Sequence, residues 1–80
     1  MHSIYLERHD AEKNMHRFYQ LHIAPGIFGD WSLVKEWGRV GSPGTLRKEW
    51  FEKEEEALLA SDKIRSAKVK KGYREKSSVI

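Results

Sequence analysis

The chain has no cysteine among its 80 residues, and it has no long apolar run. The first absence excludes a disulfide framework and a thiolate metal site, which fits a reducing cytoplasm. The second excludes a membrane span, which needs roughly 20 apolar residues. The N-terminus, from Met1 to Arg8, also lacks the apolar middle region of a signal peptide. We therefore expect a cytoplasmic protein with no membrane partner.

Catalytic constellations are missing as well. His16 and His22 would share a strand face, but they would lie roughly 20 Å apart, which is too far to ligate one metal ion. The sequence contains no carboxylate pair on one strand, no nucleophile beside a base and no glycine-rich phosphate loop before a helix. The Gly41 to Gly44 stretch joins two predicted strands and so opens no helix. We predict a non-enzymatic protein without a metal, a cofactor or a small-molecule substrate.

The length suits one small domain, predicted over residues 1–80, with a core from about residue 4 to 74 and a frayed tail from 75 to 80. Nine aromatic residues, three each of Trp, Tyr and Phe, suffice for one small core and one or two functional aromatics. No repeat or low-complexity segment interrupts the chain.

The net charge of +3 is modest but unevenly distributed. Residues 1–60 contain eight Lys/Arg and ten Asp/Glu, whereas residues 61–80 contain seven and two. A basic C-terminal segment of this kind is typical of a segment that binds phosphate groups. A solvated helix face or tail has the same composition, so the charge count leaves both interpretations open.

Hydrophobic periodicity predicts the fold. Alternation with a period of two predicts strands over residues 3–9, 15–24, 30–41 and 45–51. From about Glu52 or Lys53 the period changes to near 3.6, with acidic residues in the first turn, basic residues in the last and Gly72 at the position of a left-handed C-terminal cap. We predict an α+β fold, in which an antiparallel sheet of about four strands, in sequence order, carries one C-terminal helix across a face.

The predicted core combines a row on the second strand, the connection after it and two tryptophans. Large apolar side chains at alternate positions of the second strand point to the same face, and Ile27 and Phe28, in the connection after the Pro25-Gly26 turn, are expected to cap one edge of the core. The core residues predicted in this way are Tyr19, Leu21, Ile23, Ile27, Phe28, Trp31 and Trp50.

The third predicted strand is unusual in composition. One of its faces carries Lys35, Trp37 and Arg39, and this mixture of indole and cations does not suit a purely structural strand, because Lys and Arg are seldom buried unless paired. Gly38 lies in its interior, where glycine weakens a sheet and often marks close approach of another backbone or a ligand. This strand is therefore the first candidate for a binding surface.

The same stretch carries a family resemblance. Trp37-Gly38-Arg39 is followed by Val40-Gly41-Ser42-Pro43-Gly44 and preceded by Arg17-Phe18-Tyr19 and Phe28-Gly29-Asp30-Trp31, and Lys71-Gly72-Tyr73 follows the predicted helix. From about residue 6 to residue 74 the chain resembles the WGR domain, named for its tripeptide. That family occurs beside the catalytic domain of DNA-damage-responsive poly(ADP-ribose) polymerases and as small free-standing bacterial proteins, and this chain looks like the free-standing kind. The resemblance implies a sheet with a helix packed against it.

The resemblance also implies a function. Composition alone favours a core role for Trp37, whereas in the family this Trp packs against the sugar-phosphate end of a broken DNA strand and the Arg helps to hold the contact. Cations neutralise phosphates and an indole can stack on a base or sugar. We therefore expect binding to DNA ends or nicks without sequence reading. The expected binding residues are Trp37, Gly38, Arg39, Lys35, Arg47, Lys48, Lys68, Lys70 and Lys71.

A second class of function uses the same side chains. An exposed Trp37 beside Arg39 is also typical of a protein–protein hot spot, in which Trp and Arg are enriched. A small domain with free sheet edges can form a homodimer or dock on a larger enzyme, or serve as a regulatory subunit without nucleic acid. Binding through several phosphates weakens steeply with salt and an apolar contact does not, so salt dependence separates these alternatives.

Overall fold

The computed structural model describes residues 2–76. A five-stranded antiparallel sheet in the order β4-β3-β2-β1-β5 carries one helix on one face. The strands predicted from the sequence are all present, and each end lies within about two residues of its expected position. The elements are β1 (His2–Asp10), β2 (Met15–Pro25), β3 (Trp31–Arg39), β4 (Thr45–Phe51), α1 (Glu54–Lys70) and β5 (Arg74–Glu75).

Turn chemistry explains why the strands meet in sequence order. Between β1 and β2, the Lys13 N–H donates to the Asp10 carboxylate at 3.4 Å, and Asn14 adopts a left-handed φ of 50°, which asparagine tolerates better than most residues. Between β3 and β4, Gly41 has a φ of 87° and the Ser42 N–H donates to the Arg39 carbonyl at 3.1 Å. These tight connections fix the register of β1 with β2 and that of β3 with β4.

One face of the sheet forms the core. Leu6, Leu21, Ile23 and Leu33 are each at most 1% exposed, and Ala57 of α1 closes over them at 0%. Burying a leucine or isoleucine side chain stabilises a fold by roughly 1.5–3 kcal/mol, so this small cluster accounts for much of the favourable free energy available to so short a chain. The predicted Tyr19, Leu21 and Ile23 row is confirmed as part of the core, and Trp31 packs against it.

The helix is delimited at both ends as the sequence predicts. Its N-cap, Lys53, offers no capping side chain, but the Lys53 N–H donates to the Glu56 carboxylate at 3.2 Å and so gains a partner. At the other end Gly72 adopts a φ of 100°, and the Tyr73 N–H returns to the Lys68 carbonyl at 3.0 Å. None of the helices within residues 2–76 is both long and apolar enough to cross a membrane.

A short fifth strand adds to the four that the sequence predicts. Arg74 and Glu75 pair with Glu7 and Leu6 on the free edge of β1, and the Lys76 N–H donates to the Tyr5 carbonyl at 2.7 Å. The tail predicted to fray from residue 75 therefore remains attached to the sheet as far as Lys76. The rest of that predicted tail, residues 77–80, lies outside the described residues. A two-residue strand has no periodicity of its own, so the sequence pattern gave no sign of it.

Three side chains predicted for the core lie on the surface. Ile27 is 90% exposed and Phe28 is 86% exposed, because the connection between β2 and β3 turns away from the sheet. Within it the Gly26 N–H donates to the Asp30 carbonyl at 2.7 Å, which closes the loop before either side chain can reach the core. Trp50 is 53% exposed, since it lies on the face of β4 opposite to the helix.

Candidate nucleic-acid interface

Trp37 lies on the helix-covered face, at the end of the core. It pairs across the sheet with Tyr19 of β2, and the two rings stack with centroids 5.6 Å apart and an interplanar angle of 11°. The indole is half-buried and packs against the core cluster while part of its surface remains exposed. One side of Trp37 therefore supports the core, as composition favours, while the rest of the ring borders solvent.

The C-terminal end of the helix lies beside this stack. The Lys68 ammonium lies 4.7 Å from the centroid of the Tyr19 ring and 5.7 Å from that of Tyr73. Burial lowers the pKa of Lys68, and the charge of Lys71 adds to that shift. An ammonium held over an aromatic face in this way is attracted by the ring quadrupole. The fold thus brings Lys68, at the C-terminal end of the helix, to the Trp37 side of the sheet.

Three arginines line up directly beside the Trp37 and Tyr19 pair. Arg8 of β1 faces Arg17 of β2, and Arg17 faces Arg39 of β3, so the side chains occupy equivalent positions on three adjacent strands. Strands lie about 4.8 Å apart, and this arginine row therefore spans about 10 Å. Within residues 2–76 none of the three forms an ion pair. Like charges directly opposite each other destabilise a sheet, so the row is a local cost to the fold.

Arg17 and Arg39 of this row line a shallow concavity of about 360 Å³ at the end of the sheet. Side chains of the β1–β2 turn form its opposite wall. Its charged groups are all cationic, and nothing in it neutralises Arg17 or Arg39. An anion is the ligand that such a surface suits electrostatically. The lining residues are Lys13, Asn14, Met15, His16, Arg17 and Arg39.

The close approach expected at Gly38 is made by the chain itself. A Cβ added at Gly38 would lie 3.0 Å from the Gly44 Cα, and one added at Gly44 would lie 2.6 Å from the Trp37 carbonyl oxygen. The turn after β3 therefore folds back onto the strand, over the face opposite to the helix, where it also touches Phe18. In this structure Gly38 shapes the end of the strand that carries Trp37 and Arg39.

The remaining predicted binding residues are dispersed. The Lys35 ammonium pairs with the Glu49 carboxylate at 3.1 Å, so its charge is already compensated. Arg47 faces Lys35 on the Trp37 side and is exposed. Lys48 lies on the opposite face, with its ammonium 5.1 Å from the centroid of the Trp50 ring. Lys70 and Lys71 are exposed at the end of the helix.

Arg8 and Arg17 were not among the predicted binding residues, although a signal for them was present. In a hairpin that joins Asp10 to Met15, the position opposite Arg8 is occupied by Arg17. Applying that register would have revealed two arginines directly opposite each other. The alignment of Arg17 with Arg39 depends on the longer second connection, which the sequence fixes less tightly.

The face opposite to the helix carries a hydrogen-bonded polar chain. The Tyr5 hydroxyl donates to Glu7 at 2.8 Å, the His9 Nε2 lies 2.9 Å from the same carboxylate, and the His9 and His16 Nδ1 atoms are 2.7 Å apart. These contacts involve two histidines and one carboxylate, but none of the side-chain groups within residues 2–76 has a metal-binding arrangement of three or more His, Cys, Asp or Glu.

Comparison with known proteins places these features in a family. The sequence model of the WGR domain matches residues 2–80. The chain is 38% identical over 76 residues to "Uncharacterized protein y4dW" of Sinorhizobium fredii (strain NBRC 101917 / NGR234), covering 95% of this chain and 37% of that protein. It is 43% identical over 44 residues to "Uncharacterized protein YfeS" of Escherichia coli (strain K12), covering 55% of this chain and 18% of that protein.

The chain thus spans less than half the length of these curated relatives. No solved structure matches it significantly. The family match covers nearly all of the chain, including the tripeptide at Trp37, Gly38 and Arg39 and the arginine at position 17. The chain belongs to the WGR domain family.

Proposed function

We propose that this domain is a non-enzymatic module that binds DNA at ends or strand breaks, without reading base sequence, in the bacterial cytoplasm and in the context of DNA damage. The observation that carries the proposal is the arginine row beside the partly exposed Trp37. Three arginines at adjacent strand positions, none of them ion-paired within residues 2–76, place like charges next to one another, and bound phosphates reduce that repulsion.

Each part of the surface has a physical role in this proposal. Arg8, Arg17 and Arg39 contact consecutive phosphates, because planar guanidinium groups can donate to phosphate oxygens in pairs. Trp37 offers its free surface to a terminal sugar or base, which is exposed at a strand end but covered by its stacked neighbours within an uninterrupted duplex. Lys68, Arg47 and the exposed helix-end lysines, Lys70 and Lys71, add long-range attraction.

Direct titration tests this proposal. Labelled nicked, blunt-ended and single-stranded oligonucleotides are titrated by fluorescence anisotropy at about 50 and 200 mM salt, conditions over which phosphate-dominated binding weakens strongly. We expect a dissociation constant of micromolar order near physiological salt, and tighter binding to nicked or blunt DNA than to an uninterrupted circular duplex. Arg17→Ala should weaken binding to every one of these DNA forms. It should also reduce the salt slope, which is the slope of the logarithm of the binding constant against the logarithm of the salt concentration, by about 1 in magnitude.

Matched variants separate the roles. Trp37→Leu keeps an apolar group against the core while removing the flat ring, so it should reduce the preference for ends more than it reduces total affinity. Lys53→Ala removes a cation at the start of the helix, far from the arginine row, and should leave binding unchanged. Unaltered affinity and salt slope in folded Arg17→Ala and Arg39→Ala would contradict the proposal. A partner protein bound through Trp37 with little salt dependence would favour the interaction-module alternative.

A further inference from the structure

The outer edge of β4 is open. It lies at the end of the strand order and, within residues 2–76, pairs only with β3. Six of its seven residues are exposed, and two of these are large apolar side chains, Leu46 at 60% and Trp50 at 53%. The opposite edge of the sheet is partly covered by β5. An open edge presents unpaired backbone N–H and C=O groups to any strand of suitable side-chain pattern.

The side-chain pattern of β4 is complementary to itself. Two copies of an edge strand related by a two-fold axis run antiparallel, and each residue faces the residue equally far from the axis on the other copy. With the axis at Lys48, Arg47 faces Glu49 of the second copy and Leu46 faces Trp50 of the second copy. All seven residues of the strand then pair, with Thr45 facing Phe51 of the second copy at each end.

Other registers lose these matches. With the axis at Arg47, that arginine faces itself and Leu46 faces Lys48. With the axis at Glu49, that carboxylate faces itself and Arg47 faces Phe51. Like charges opposite each other are unfavourable, whereas opposite charges and apolar pairs are favourable. In the Lys48 register the only residue that faces its own equivalent is Lys48. The Lys48 ammonium lies over the Trp50 ring, 5.1 Å from its centroid, and so points along the strand and away from the two-fold axis.

We infer that a second copy of this chain binds at β4, so that two sheets join edge to edge in an antiparallel dimer centred on Lys48. The dimer carries both helices on the same face and extends the five-stranded sheet to twice its width. This inference does not depend on nucleic-acid binding. A single seven-residue edge makes a small interface, so the dissociation constant should be of the order of 10–100 µM.

A charge swap tests the register without nucleic acid present. Arg47→Glu places two carboxylates opposite each other at two symmetry-related positions, and Glu49→Arg places two guanidinium groups there. Each single variant should raise the dimer dissociation constant about ten-fold or more. The double variant, Arg47→Glu with Glu49→Arg, restores opposite charges and should return it to within about three-fold of the original value.

Sedimentation velocity from about 10 µM to about 1 mM measures the outcome, over a range that brackets the expected weak affinity. Glu55→Arg makes the same charge change on the exposed helix and should leave the dimer intact. Leu46→Asp is a second variant that should disrupt the dimer, and it should leave the fold intact because the Leu46 side chain is largely exposed. Circular dichroism verifies that all variants are folded. A single-chain mass at every concentration would overturn the inference, as would equal dissociation constants for the single and double charge variants.

Discussion

Gly38 shows how the central tripeptide is constrained by its own chain. The Gly44 backbone lies where a side chain at position 38 would project, with its Cα 3.0 Å from an added Cβ. Gly38→Ala should therefore lower the free energy of unfolding by about 1–3 kcal/mol, as expected when a methyl group is forced against backbone. Urea denaturation measures the change. Ser42→Ala, in the exposed part of the same turn, should stay within about 0.5 kcal/mol. Equal stabilities of the two variants would refute the packing argument.

The protonated Tyr5 phenol contributes to the free energy of unfolding, and this contribution depends on pH in the alkaline range. Burial, with the hydrogen bond to Glu7 and the charge of that carboxylate, raises the pKa of Tyr5 from 10.0 to about 12. The folded state therefore retains the phenol proton more strongly than the unfolded chain. This contribution is complete below about pH 10 and is lost as the pH rises towards about 12.

Denaturant titrations between about pH 9 and pH 11.5 test this contribution. The change in the free energy of unfolding with pH is proportional to the difference in the number of protons bound by the folded and unfolded states. Stability of the unmodified chain should fall more steeply over this range than that of Tyr5→Phe, which has no phenol proton to lose. Parallel curves would show that the Tyr5 proton is not linked to folding.

The helix packs through its smallest residues. Ala57 is fully buried against the sheet, whereas Leu59, two positions further along, is 62% exposed. Ala57→Leu should destabilise the fold by about 1–3 kcal/mol, because the added carbons have no space between helix and sheet. Leu59→Ala should change stability by less than about 0.5 kcal/mol. Thermal unfolding of the two variants distinguishes this packing from one in which the larger residue faces the core.

Strand and helix positions were predictable because each has a local cause. Alternating side chains mark the four long strands, and Gly72 with the charged helix ends marks the helix. Local patterns do not predict the burial of a side chain when contacts elsewhere in the fold determine it. The β2–β3 connection contains two large apolar side chains, which favour burial by composition, but its closing Gly26 to Asp30 hydrogen bond holds Ile27 and Phe28 in solvent. Trp50 is exposed because the helix covers the other face of β4.

The candidate binding surface is a property of the whole sheet. Trp37, Gly38 and Arg39 were identified from one segment, but the arginine row takes one residue from each of three strands. The alignment of this row depends on two strand registers, that of β1 with β2 and that of β2 with β3, and predicting it requires both. The approach of Lys68 to Tyr19 depends further on where the helix ends over the sheet. Chain composition located the excess of basic residues in the C-terminal segment and left its role open, whereas folding also aligns arginines from the first three strands.

The arginine row also predicts opposite effects of one substitution on stability and on binding. Arg17 lies between Arg8 and Arg39, so it experiences like-charge repulsion from both sides. Arg17→Gln removes both repulsions and should raise the free energy of unfolding by about 0.5–2 kcal/mol at low salt, while weakening binding to oligonucleotides. The gain should shrink at about 1 M salt, where the screening length falls to about 3 Å. Chemical denaturation at both salt concentrations measures it, with Lys63→Gln, which removes an exposed helix cation that has no ion pair within residues 2–76, as the control. A loss of stability in Arg17→Gln at low salt would mean that packing of the Arg17 side chain outweighs its charge repulsion, and relief of repulsion would then no longer support an anionic partner.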